Sequence, residues 1–120
     1  MSGSSALKEL SPAEVHDMSI RGRIVLVDVR EPQEFVAERI HGALLFPLST
    51  FDPKALPAPD ACMIVFHCGS GKRSVTAVEK CRAAGLAHVS HMTGGLAAWK
   101  AAKLPTVTLD PSTGGVIDRK

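Results

Sequence analysis

The residues His67-Cys68-Gly69-Ser70-Gly71-Lys72-Arg73-Ser74, directly after the apolar stretch Ala61 to Phe66, set a thiol where backbone and charge would activate it. The strand-like run Cys62-Met63-Ile64-Val65-Phe66 delivers Cys68 to a loop with two glycines, and a helical segment is predicted to open at Ser74. Glycine accepts positive φ and close backbone approach. Gly69 and Gly71 therefore allow successive amides to converge on one atom, as in anion-binding nests and at helix N-termini. A thiol at that focus, beside Lys72 and Arg73, has its charged form favoured by amide donors, helix dipole and cations together, so a thiolate near neutral pH is expected. The competing reading is a buried structural cysteine beside a surface turn, since free cysteines are among the most buried residues. The convergence of loop and cations favours chemistry.

The other two cysteines do not read as partners for Cys68. Cys62 lies six residues earlier on an apparent strand, about 20 Å away at about 3.3 Å per residue. Cys81 falls well into the following helix, about 10 Å along its axis and beyond disulfide reach. Cys81 shares an apolar face with Val75 and Val78, and both cysteines are expected in the core. Three cysteines, an odd count, fit a reducing compartment better than a disulfide framework, and no Cys-x-x-Cys or His/Cys spacing suggests a metal.

The elements that must position the loop alternate along the chain. Ser11-Pro12-Ala13-Glu14 has the cap, proline and glutamate of a helix start, with a helix to about Ser19. Ile24-Val25-Leu26-Val27, ending in Asp28, is the continuous apolar run of a strand buried on both faces. A helix is predicted from Glu31-Pro32 to about Arg39, and a short strand over Ala43 to Phe46. A proline-rich connector to Asp60 follows, with one helical turn near Pro53. Then come the central strand Ala61 to His67, a helix from Ser74 to about Ala84 closed by Gly85, a strand Val89 to Met92 and a last helix Leu96 to Lys103. This order predicts an α/β domain with a parallel sheet covered on both faces and a ligand site at the carboxyl ends of its strands, where Cys68 and Asp28 both fall.

The chain has 120 residues, 45% of them hydrophobic, enough for one compact domain. A net charge of +2 without basic runs argues against nucleic acid, and small anions are the expected partners. There is no signal-like start and no apolar run of bilayer length, so a cytoplasmic location is expected. The segment Thr106 to Lys120, with Pro111, Gly114 and Gly115 and little apolar periodicity, reads as a loose tail or linker remnant after a domain spanning 1–105.

Over about Leu7 to Pro105 these residues resemble the rhodanese family of sulfurtransferases. Four motifs carry the resemblance: Asp28-Val29-Arg30-Glu31, Ile40-His41-Gly42-Ala43 followed by Pro47, the loop Cys68 to Arg73, and Gly94-Gly95-Leu96-Ala97-Ala98-Trp99. The second departs from the usual His-Ile-Pro-Gly-Ala in a segment that is mainly structural in the family. The resemblance implies a three-layer domain with a mostly parallel sheet of about five strands and helices on both faces. It further implies a Cys68 persulfide, held by amides of Gly69, Ser70, Gly71, Lys72 and Arg73, that passes sulfur to cyanide, a cellular thiol or a protein acceptor. No cofactor or metal is implied, and the domain would act as a monomer or weak homodimer. Cys-Gly-Ser-Gly is similar to the mercaptopyruvate-using branch, whereas Lys72 and Arg73 are similar to thiosulfate-using single-domain members. The double negative charge of thiosulfate favours it as donor.

Two other functions compete with this reading. Cysteine-dependent phosphatases and arsenate reductases carry His-Cys-x5-Arg, but four residues separate Cys68 from Arg73 here, a ring better sized for one sulfur than for a phosphoryl group. Non-catalytic rhodanese-like modules usually lack the cysteine. For Arg73, orienting an oxyanion and bracing the loop against a carboxylate are both open. Asp28 and Arg30 are expected as an ion pair that supports the site, and Ser74 is a further supporting residue. His67, on the opposite strand face from Cys68, is expected as a satisfied buried histidine rather than a general base. His16, His41, His88 and His91 show no ligand spacing, and Trp99 reads as a core anchor.

Overall fold

The computed structural model describes residues 7–57 and 61–118. Its order is β1 (Lys8–Leu10), α1 (Pro12–Ile20), β2 (Val25–Asp28), α2 (Pro32–Ala37), β3 (Glu38–Arg39) and β4 (Leu44–Leu45). After 3-10 turns at Leu48–Thr50 and Pro53–Ala55 come β5 (Ile64–His67), α3 (Lys72–Ala83), β6 (Ser90–Met92), α4 (Gly95–Ala101), β7 (Val107–Leu109) and β8 (Val116–Asp118). The main sheet has five parallel strands in the order β1-β6-β5-β2-β4.

Strand alternation divides the core into two layers, as expected for a sheet covered on both sides. Leu26 of β2 and Val65 of β5 pack with Val15 of α1 and with Leu96 and Trp99 of α4. Their neighbours Val27, Ile64 and Phe66 pack with Ala77, Val78 and Cys81 of α3. Cys68 continues the 64-66-68 series and joins the α3 layer, wholly buried. At the start of α1, Ser11 Oγ accepts from the Glu14 N–H at 3.1 Å and Glu14 Oε1 accepts from the Ser11 N–H at 2.9 Å, the reciprocal cap that the sequence signals.

The chain after Pro105 differs from expectation. β7 pairs antiparallel with β3, Arg39 opposite Val107, and β8 pairs with β7, so residues 107–118 form a small three-stranded sheet with the body of the domain. Its strands are only two or three residues long and gain order from main-chain pairing, which apolar periodicity does not register. Val107 alone among these strands is deeply buried. The same pairing ends α2 at Ala37, two residues before the predicted end, because Glu38 and Arg39 are extended against β7. β1 was not expected either; it is an edge strand with only Leu10 buried. The end of the proline-rich connector, residues 58–60, lies outside the described residues, as do 1–6 and 119–120. No helix among the described residues is long and apolar enough to cross a membrane.

Candidate active site

β5 ends at His67, and the next residue, Cys68, begins a tight loop that enters α3 at Lys72, two residues before the predicted start. Gly71 caps the helix with φ +100°, a conformation that glycine adopts without strain. Lys72, Arg73 and Ser74 therefore form the first turn of α3, and the sulfur sits over its N-terminus. The Gly71 N–H donates to Cys68 Sγ at 3.1 Å and the Ser74 N–H at 3.4 Å, with Ser74 Oγ at 3.6 Å. Burial pushes the Cys68 thiol up, but the amide and hydroxyl of Ser74 and the amides of Gly71 and Ser70 outweigh it, leaving the thiol below its ordinary value. Ser74, expected only as a support, is thus a direct partner of the sulfur. Gly69 instead directs its carbonyl to a neighbouring helix.

That carbonyl finds its partner in α4. The Leu96 N–H donates to Cys68 O at 2.8 Å and the Ala97 N–H to Gly69 O at 3.1 Å, so the first turn of α4 fixes the outward side of the loop while the amides face the sulfur. Gly95 permits this approach. It has φ +60°, and a Cβ there would lie 2.4 Å from Cys68 O and 2.6 Å from Gly69 C. Trp99, four residues on, anchors the helix: its ring is 1% exposed, packs edge-on to His16, and Nε1–H donates to Pro105 O at 2.9 Å.

Two ion pairs brace the surroundings. Arg30 Nε–H and Nη2–H grip both oxygens of Asp28 at 2.7–3.0 Å, and Nη2–H also donates to Glu38 O at the start of β3. Both side chains are buried. His67, fully buried, has Nδ1 3.3 Å from Cys68 O and Nε2 3.5 Å from Asp28 Oδ2; burial holds it below its usual range despite that carboxylate. Replacing Asp28 by asparagine is expected to lower stability by about 3–5 kcal/mol, because Arg30 keeps a buried charge with no counterion. Urea unfolding would check this, and a loss under about 1 kcal/mol would mean that the pair is compensated elsewhere.

Arg73 makes a bidentate pair with Glu34 of α2, at 2.8 and 3.0 Å. Hydrogen bonding from Arg73 holds the Glu34 carboxyl down at about 2. Of the two roles open for Arg73, the structure places it against a carboxylate. Lys72 and Ser70 are exposed at the loop mouth. Cys62 is half-buried; Cys81 is buried, its thiol pushed up to about 11 by burial, and all three cysteines are free. Sequence reasoning missed Glu34, which reaches the loop from 39 residues earlier, and His91, whose Nδ1 lies 2.8 Å from Ser74 Oγ. Neither shows a local motif; both arrive by packing of distant elements. The nearest hint for Glu34 was the helix start Glu31-Pro32, which sets the face on which it stands.

The chain belongs to the rhodanese-like domain family, whose sequence model matches residues 11–102. It is 42% identical over 98 residues to an uncharacterized protein of Synechocystis, covering 82% of this chain and 55% of that one, so it spans about half the length of that relative. It is 32% identical over 84 residues to a sulfurtransferase of Allochromatium vinosum, covering 70% and 78%. In structure it is similar to a rhodanese-related protein of Thermoplasma volcanium, with TM-score 0.72, 25% identity and coverage of 83% and 97%.

Proposed function

We propose that the protein is a sulfurtransferase that carries sulfane sulfur on Cys68, taking it from thiosulfate and giving it to cyanide in the assay and to a small or protein-borne thiol in the cell. The observation that carries this reading is the sulfur of Cys68 held by the Gly71 and Ser74 amides at the N-terminus of α3, an environment that favours a thiolate and an anionic persulfide alike. The name of the Allochromatium vinosum relative supports it. Cys68 thiolate attacks the outer sulfur of thiosulfate, the sulfur–sulfur bond breaks, and sulfite leaves with the electron pair. The acceptor nucleophile then attacks the outer sulfur of the persulfide, and Cys68 departs as thiolate. Thiosulfate is favoured over mercaptopyruvate because it brings two negative charges to a ring of amides beside Lys72, while the charge of Arg73 is shared with Glu34.

Such a double displacement predicts parallel lines when reciprocal rate is plotted against reciprocal thiosulfate concentration at several cyanide concentrations. Intersecting lines would contradict a persulfide that outlives the donor, and faster turnover with mercaptopyruvate would overturn the donor assignment.

A further inference from the structure

Cys68 Sγ is one end of a line of four polar side chains that runs to the surface. Ser74 Oγ lies 3.6 Å from the sulfur, His91 Nδ1 lies 2.8 Å from that oxygen, and Glu9 Oε2 lies 3.5 Å from His91 Nε2. Cys68, Ser74 and His91 are buried, whereas the Glu9 side chain is 61% exposed. Parallel pairing assembles the line: Glu9 in β1 stands opposite His91 in β6, β6 lies beside β5, and α3 brings in Ser74. His91 Nε2 is buried without a hydrogen-bond partner, facing the Glu9 carboxylate across that gap. An unsatisfied buried nitrogen in a native fold calls for an explanation.

We propose that His91 is a positioning residue for Cys68, which through Ser74 takes up the thiol proton and holds the sulfur as thiolate, with Glu9 balancing the charge that His91 gains. In the thiol form the Cys68 S–H donates to Ser74 Oγ, the Ser74 O–H donates to His91 Nδ1, and His91 Nε2–H faces Glu9. One shift reverses the first two bonds: the sulfur's proton passes to Ser74 Oγ as the serine's own proton passes to Nδ1. The thiolate then accepts from the Ser74 hydroxyl, and an imidazolium faces the carboxylate. One proton has moved from sulfur to imidazole, no bond between heavy atoms has broken, and nothing is oxidised or reduced. The remaining groups that act on this line are the amides of Ser70, Gly71 and Ser74 on the sulfur, and Arg73, itself paired with Glu34. In the sheet, His91 is flanked by Glu9 on β1 and by the apolar Phe66 on β5.

The inference rests on the reading of Cys68 as nucleophile, but its test needs no sulfur transfer. The rate of Cys68 alkylation by iodoacetamide is followed against pH by peptide mass, which separates it from the free Cys62 and Cys81. His91→Asn keeps a polar group near Nδ1 but takes up no proton. It is expected to move the half-maximal pH upward by about one unit and so slow alkylation about tenfold below it. Glu9→Gln is expected to move the profile the same way by less, and further at low ionic strength. A purely structural His91 would lower the melting temperature and leave the profile in place, so an unmoved profile in folded His91→Asn overturns the proposal. Should that variant not fold, the exposed Glu9→Gln decides at low salt, and no movement there overturns it equally. Persulfide formation with an unmoved profile sinks this relay alone; a moved profile without persulfide sinks the sulfur-transfer reading alone.

Discussion

Replacing Gly95 by alanine is expected to lower kcat/KM with thiosulfate by on the order of a hundredfold or more, although position 95 has no side chain to offer a substrate. The added Cβ would lie 2.4 Å from Cys68 O and 2.7 Å from Gly69 O. Both obstructing atoms are backbone, so no side chain can swing aside, and either the loop or α4 must retreat. A retreat breaks the bonds from Leu96 N–H to Cys68 O and from Ala97 N–H to Gly69 O, which hold the loop with its amides facing the sulfur. The Gly71 and Ser74 amides would then miss their 3.1 and 3.4 Å contacts with Sγ. Strain at positive φ also contributes, roughly 1–2 kcal/mol for a non-glycine residue. Gly42→Ala separates the two effects: its φ is +84° but nothing lies within 4 Å of the added Cβ, so it should lose stability and keep its rate. Steady-state kinetics on folded Gly95→Ala decide the matter, and activity within a few-fold of the parent would show that α4 does not set the loop.

Cys68→Ser is expected to remove sulfur transfer altogether while leaving the fold in place. The exchange of Sγ for Oγ keeps a buried acceptor for the Gly71 and Ser74 amides, so stability should change by no more than the net worth of one hydrogen bond, about 0.5–1.5 kcal/mol. What disappears is the nucleophile, because a serine hydroxyl is far less acidic than a thiol, beyond what the Ser74–His91 line can ionise, and far less polarizable than sulfur. Cys68→Ala makes the complementary case: those amides lose their acceptor, at a cost of about 1–3 kcal/mol. Unaltered turnover in Cys68→Ser would assign the chemistry to another residue.

The parts legible in sequence were those written in local pattern. Ser11 to Glu14 announces its cap, the runs Val25 to Asp28 and Ile64 to His67 announce buried parallel strands, and Cys68 between a strand and two glycines announces the loop. The Asp28–Arg30 pair is two residues apart and equally readable. Where the partner is distant, pattern is silent. Glu34 meets Arg73 across 39 residues, Ser74 meets His91 across 17, and Glu9 meets His91 only because β1 and β6 pair in parallel. The strands after Pro105 escaped for a different reason: β7 is recruited by the backbone of Glu38 and Arg39, whose own sequence reads as the end of a helix.

The most direct test of Cys68 as sulfur carrier is the intact mass of reduced protein after incubation with thiosulfate and gel filtration, with Cys68→Ser in parallel. A gain of one sulfur atom in the parent, absent from the variant and lost on adding cyanide, is the expected result. No gain in the parent, or an equal gain in Cys68→Ser, would contradict a Cys68 persulfide formed from thiosulfate.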